Sequence, residues 1–234
     1  MSRADRVAAR LEESELDLLL VTDMVNVRYL TGFSGSNGLA IVGPDTRRFL
    51  TDFRYVERAR GEVSGFALQP SPQELRTALA EGWPPGHLRV GFEDQHVSVR
   101  RHGELRETLP DRIELVAAGG LVEAERAVKE PGEVEAIRAA AGLADEVYEW
   151  LAEQGLVGRT ERAVALALEQ EMRVRGADGP SFPSIVASGE NGALPHAVPR
   201  DVEIPERTLV TLDIGARVDG YCSDCTRTWA TGEL

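Results

Sequence analysis

An α/β domain followed by a second unit, made of a helix pair and a closing β-hairpin, is the fold class that the sequence predicts. Three observations predict it. Helical and strand patterns alternate over the first ~120 residues. An apolar repeat at three- and four-residue steps follows Lys129-Glu130-Pro131-Gly132-Glu133. Near the end, two runs rich in β-branched and aromatic residues flank Asp219-Gly220, a strong two-residue turn signal.

Each element has its own local reason. Ser2 caps a first helix reaching to about Glu13, and Leu16 to Thr22 is a continuous apolar run of buried-strand type. Gly38 to Val42 and Arg47 to Thr51 flank Gly43-Pro44-Asp45 and read as a hairpin. Ser71-Pro72 opens a helix by cap and first-turn proline, Leu88 to Phe92 is a strand, Ser98 to Leu109 a helix and Ile113 to Val116 a strand. The domain boundary is expected between residues 124 and 125. Beyond it, Val134, Ile137, Ala141, Ala144, Tyr148 and Leu151 form the apolar stripe of a long helix. Thr160 caps a second helix running to Arg175, where Gly176 supplies a stop. A Gly-, Ser- and Pro-rich segment from Phe182 to His196 precedes the final hairpin, and no internal repeat is evident.

Composition narrows the class of function. The formal net charge of −13 repels a phosphate backbone, so nucleic acid is not an expected partner. No apolar run approaches the ~18 residues of a membrane span, and Met1 to Arg6 leads into a charged amphipathic helix, so the expected location is the cytoplasm with no membrane partner. Lys129 is the single lysine, a compositional bias to which no site is attached.

The closing hairpin carries the candidate chemistry. A two-residue turn at Asp219-Gly220 places Val218 opposite Tyr221, hence Asp213 opposite Thr226 and Gly215 opposite Asp224. Asp213 and Asp224 then share a face as diagonal neighbours, roughly 7 to 8 Å apart at the backbone. Each interrupts a strand in which an unpaired carboxylate would be costly to bury. Two such carboxylates can converge on divalent cations, which lie about 3.5 to 4 Å apart in paired sites. Geometry alone leaves a structural role equally open, and Asp219 itself reads as a turn former. Cys222 and Cys225 have a Cys-x-x-Cys spacing, yet strand alternation sends them to opposite faces, so they read as ordinary packed thiols.

Asp213-Ile214-Gly215-Ala216 followed by Gly220-Tyr221-Cys222-Ser223-Asp224-Cys225-Thr226-Arg227-Thr228 resembles the first metal-ligand hairpin of the pita-bread metallopeptidases, which include aminopeptidase P, prolidase, creatinase and methionine aminopeptidase. Phe182 to His196 is similar to the segment that precedes that hairpin, and Asn26 to Ser36 with Thr51-Asp52-Phe53-Arg54-Tyr55 resembles the extra domain of the Xaa-Pro peptidases. The fold implied is a creatinase-like α/β domain over residues 1–124 and the first half of an α+β pita-bread catalytic domain over 125–234.

The resemblance implies a centre of two divalent metal ions, with manganese favoured and cobalt or zinc as alternatives. Asp213 matches its first ligand and Asp224 its second. The family's one His and two Glu that come later in the chain have no match after Asp224, which implies a piece of a longer enzyme, inactive as it stands. His196, in Asn191-Gly192-Ala193-Leu194-Pro195-His196, matches the histidine that contacts substrate and the developing tetrahedral intermediate. The activity implied is hydrolysis of the N-terminal Xaa-Pro bond of a proline-containing peptide by a homodimer. The alternatives are a dipeptidase of the prolidase kind and a non-catalytic product acting through dimerisation or partner binding of its N-terminal domain. His87, His96 and His102 read as ordinary surface or packed residues, and Arg28, Tyr29, Asp52 and Tyr55 of the N-terminal motifs read equally as packing or turn residues.

Overall fold

A computed structural model describes residues 1–71 and 74–234. The chain divides into two compact units, Met1–Val128 and Lys129–Leu234.

Unit 1 is built on a six-stranded sheet of order β4-β3-β2-β1-β5-β6, with β1 at Leu18–Val21, β2 at Gly38–Val42, β3 at Arg47–Asp52, β4 at Ala67–Ser71, β5 at Leu88–Phe92 and β6 at Ile113–Ala117. All four residues of β1 are buried, and alternation divides them between two cores. Leu19 and Val21 join a cluster with Val7, Leu11, Val27 and Phe33, whereas Leu18 and Leu20 join Leu75, Leu79 and Leu105 on the other side. The run of apolar residues is therefore the signature of a strand covered on both faces.

Helix α1, Arg3–Leu11, starts as expected at Ser2, whose hydroxyl accepts from the Asp5 amide at 3.1 Å while the Asp5 carboxylate accepts from the Ser2 amide at 2.9 Å. The 38–42 and 47–52 strands pair antiparallel as the turn residues predict. Ser98 caps α4, Val99–Thr108, by accepting from the Arg101 amide. Three helices were not legible: α2 at Met24–Thr31, α3 at Val56–Glu62 and α5 at Leu121–Ala127. Each is eight residues or fewer, too short to show two periods of an apolar stripe. The expected helix at Ser71-Pro72 falls partly outside the described residues; Ser71 itself closes β4, and the chain next forms a 3-10 segment, Leu75–Ala80.

Unit 2 opens with α6, Pro131–Gln154, and α7, Glu161–Val174, and continues through β7, Gly179–Pro180, and β8, Ile185–Ser188. Then come β9, Leu209–Ile214, β10, Ala216–Val218, β11, Tyr221–Cys222, and β12, Cys225–Ala230. The strands form two three-stranded sheets, β11-β10-β7 and β12-β9-β8. The stripe of α6 is turned from the expected one: Val134 is 41% exposed and Ala141 exposed, while Ala140, Ala144, Val147, Tyr148 and Leu151 are buried. The rotation comes from polar anchors, because Glu133 accepts from the Tyr221 hydroxyl at 2.9 Å and the Ala140 carbonyl accepts from the Ser223 hydroxyl at 2.9 Å. Those bonds tie that edge of the helix to the hairpin.

Candidate metal centre

The hairpin that carries Asp213 and Asp224 has the register read from its turn. Asp219 and Gly220 both take positive φ, 49° and 77°, as a two-residue primed turn requires. Val218 pairs with Tyr221 and Thr226 with Asp213. One register runs through the whole hairpin although it belongs to two sheets, because the Ser223 amide donates to the Ala216 carbonyl at 2.9 Å across the break.

The break is built around Gly215. A Cβ at that position would collide with the Ser223 carbonyl oxygen, so the two strands approach here only because glycine has no side chain. Two hydroxyls hold the bend. Ser181 donates toward the Ala216 and Ser223 carbonyls, each at 2.8 Å, and the Ser223 hydroxyl accepts from the Ala216 amide at 3.0 Å.

One face of the β12-β9-β8 sheet is packed. Val210, Leu212 and Ile214 are fully buried in a core with Val147, Leu151, Val164 and Leu168 of the two helices. Tyr148 fixes that face, its hydroxyl lying 2.9 Å from the Leu212 carbonyl and 2.6 Å from the Cys225 carbonyl, the residues adjoining Asp213 and Asp224. Burial pushes the Tyr148 hydroxyl well above the usual phenol range, and the nearby Cys225 and Asp213 add to the rise, so it stays a donor.

The opposite face carries the two carboxylates. Asp213 is half-buried and accepts from the Thr226 hydroxyl at 2.7 Å through Oδ1; Asp224 is exposed and makes no hydrogen bond or ion pair among the described residues. The 3-10 turn Gly189–Ala193 lies against the same face, where a Cβ on Gly192 would come within 3.2 Å of the Thr211 hydroxyl. His196 lies just beyond that turn, exposed and with no hydrogen-bond partner among the described residues. No group of three or more His, Cys, Asp or Glu arranged to hold a metal ion occurs among the described residues. The hairpin thus supplies two carboxylates with unused oxygen lone pairs, a donor set suited to hard divalent cations.

Both cysteines are free thiols: Cys225 is half-buried as expected, but Cys222 is exposed rather than packed, because it lies opposite the exposed Arg217 on the uncovered face of its sheet. In unit 1 two of the N-terminal motif residues, Asp52 and Tyr55, make hydrogen bonds within the unit. Asp52 is fully buried, Arg54 holds its carboxyl far below the usual range, and Asn37 donates to it as well. Tyr55 hydrogen-bonds the Ser36 hydroxyl at 2.6 Å.

Sequence reasoning missed the most heavily bonded carboxylate of unit 2, Glu161, which gathers Ser188, Asn191 and Arg200. Its position just after the Thr160 cap reads as an ordinary complement to the helix dipole, and nothing local marks it as buried.

Comparison with known proteins agrees with this architecture. Residues 3–128 match the creatinase/prolidase N-terminal domain and residues 135–234 match metallopeptidase family M24. An uncharacterised peptidase of Bacillus subtilis, YqhT, is 41% identical over 93% of this chain and 62% of its own length. An Xaa-Pro dipeptidase of Pyrococcus furiosus is 27% identical over 98% of this chain and 65% of its own. Among solved structures, an Xaa-Pro dipeptidase from Bacillus anthracis superposes with a TM-score of 0.91 at 32% identity, covering 99% of this chain and 65% of that one. The X-Pro aminopeptidase of Thermotoga maritima gives 0.84 at 26% identity, covering 94% and 64%. The chain spans a little under two thirds of the length of these relatives. It belongs to the creatinase/prolidase family, with a creatinase-type N-terminal domain followed by part of an M24 metallopeptidase domain of pita-bread fold.

Proposed function

We propose that Asp213 and Asp224 are two ligands of a dinuclear centre for divalent cations, manganese before cobalt or zinc, in a protein that hydrolyses the bond between an N-terminal residue and proline. The single observation that carries this reading is the shared face of the two carboxylates on one hairpin register, with Asp224 unpartnered among the described residues. Cations bound there supply Lewis acidity to the scissile carbonyl and make water a competent nucleophile. The chain's own residues do the rest. Thr226 keeps one Asp213 oxygen engaged, which would orient the carboxylate and leave its other oxygen for a cation. His196, on the segment just beyond the turn against this face, is proposed to position the collapsing tetrahedral intermediate or, once it has itself taken up a proton from the attacking water, to protonate it.

Two carboxylates are too few to hold two cations tightly, so the 234-residue chain by itself is proposed to be inactive. An aminopeptidase acting on longer peptides is the first form of the reading. A dipeptidase is the second, favoured by the Bacillus anthracis and Pyrococcus furiosus relatives described as Xaa-Pro dipeptidases. The working form is proposed to be a cytoplasmic homodimer, which sedimentation equilibrium checks.

The test has two arms. Calorimetric titration of the chain with manganese is expected to show weak binding that Asp213→Asn or Asp224→Asn weakens further by about tenfold or more, since even outer partners of a metal contribute that much. Unchanged affinity in both variants would overturn the metal assignment. Assay of an Xaa-Pro dipeptide against a longer Xaa-Pro peptide then separates the two forms, and turnover of either by the homogeneous chain would refute its inactivity.

A further inference from the structure

Glu161 is fully buried at the first position of α7, and six donor groups converge on its carboxylate. The Ser188 amide and hydroxyl both donate to Oε1 at 2.8 Å. The Asn191 side chain donates to Oε2 at 3.0 Å. Arg200 closes the ring with its amide at 2.9 Å and Nε at 3.0 Å on Oε2, and a terminal guanidinium nitrogen at 2.9 Å on Oε1. These partners come from the end of β8, from the 3-10 turn and from the chain beyond His196. Residues 200–202 are also held to the same helix start, where the Glu161 amide donates to the Val202 carbonyl at 3.1 Å and the Arg162 amide to the Arg200 carbonyl at 3.1 Å.

A buried carboxylate is retained at such a position only if its lone pairs are filled, and here they are filled from both ends of one segment. We propose that Glu161 is the positioning residue of the 188–200 segment and so of His196: one carboxylate pins the segment before and after the histidine, holding an exposed imidazole on a fixed backbone. This rests on the role proposed above for His196. Burial raises the Glu161 pKa, but the bonds from Arg200 and Ser188 outweigh it and bring it down to about 2.

That depression fixes the sign of the pH effect. Because the folded-state pKa lies below the ordinary value of 4.5, the anchoring is fully present above that value and is lost as pH falls through about 2. Other charged groups close to this node are Arg200 itself, Glu190, the Arg162–Asp201 pair at 3.0 Å, and Glu203, whose backbone pairs with that of Thr160. Glu161→Gln leaves all of them in place while turning one acceptor oxygen into a donor that faces donors.

The experiment is amide hydrogen exchange of the 234-residue chain and its variants from pH 5 to pH 2, with manganese titration and the His196 imidazole resonances as parallel readouts. In the unsubstituted chain, protection of residues 189–200, corrected for intrinsic rates, is expected to fall across that range. Glu161→Gln should lower it by about tenfold or more at pH 5, because bonds to a charged acceptor are worth more than neutral ones, and flatten its pH dependence. Manganese affinity at Asp213 and Asp224 should stay within about twofold, the two sites sharing no partner. Asn191→Ala, a milder lesion, covers the case in which Glu161→Gln does not fold, and Glu161→Asp should restore part of the pH dependence.

Protection of 189–200 that is unchanged in both Glu161→Gln and Asn191→Ala, with α6 and α7 still protected, overturns the anchoring. Addition of the dipeptide Ala-Pro should shift the His196 resonances in the unsubstituted chain and shift them less in Glu161→Gln. Resonances that ignore Ala-Pro in the unsubstituted chain overturn the role of His196, a failure that the exchange data distinguish from failure of the anchor.

Discussion

Some buried polar side chains in this molecule bind two pieces of backbone at once. Glu93 accepts from the Thr22 and Asp23 amides at 2.6 and 2.7 Å and from the Asn26 side chain at 2.8 Å, which fixes the start of α2 against the end of β5. Tyr148 adds a side-chain tie to β9 and β12, which also pair with each other. Its hydroxyl has one proton for two carbonyls, so the loss on removing it is that of one donor and not of two full bonds. Tyr148→Phe is therefore expected to cost about 1 to 2 kcal/mol in urea unfolding. Its ring packs 5.9 Å from Trp229, and that contact survives the substitution. A loss within experimental error would show that the hydroxyl does not hold the strands.

Among the elements, the hairpin depends on its bend as well as on its turn. Asp219-Gly220 has the local freedom the turn needs, but Gly215 is constrained by something distant in sequence, the carbonyl of Ser223. Gly215→Ala should force the strands apart and destabilise unit 2 by about 1 to 3 kcal/mol, the usual range for overpacking a tight site. A fall in the urea midpoint with an unchanged slope checks this, and wild-type stability would contradict it. The turn and register were legible because both are dictated within a short local window. The bend was not, because Gly215 looks like any glycine until the partner strand is in place. Short helices α2, α3 and α5 were illegible for a related reason: tertiary packing, not their own periodicity, makes them helical.

At the scale of the molecule, each unit has its own reason to fold. Unit 1 buries both faces of its sheet, one under Leu11, Val27 and Phe33 and the other under Leu79, Leu105 and Leu109. Residues 1–128 made as a separate chain are accordingly expected to unfold in a single cooperative transition, seen as coincident near- and far-ultraviolet circular dichroism melts. Non-coincident melts would mean that the two cores are not one cooperative body. The α/β alternation of this unit and the helix pair of unit 2 were readable because they are long and periodic. The paired carboxylates were readable because a turn fixes their register. The Glu161 node was not, since its donors lie up to 39 residues away and meet only in the fold. The break at Gly215 also makes the hairpin a device of parity. Asp213 and Asp224 share a face because the count of residues between them is right, and Gly215 and the Asp219-Gly220 turn let the strands keep that count. One inserted residue beyond the turn would carry Asp224 to the apolar side, and two would bring it back; chain length there decides which way the carboxylate faces.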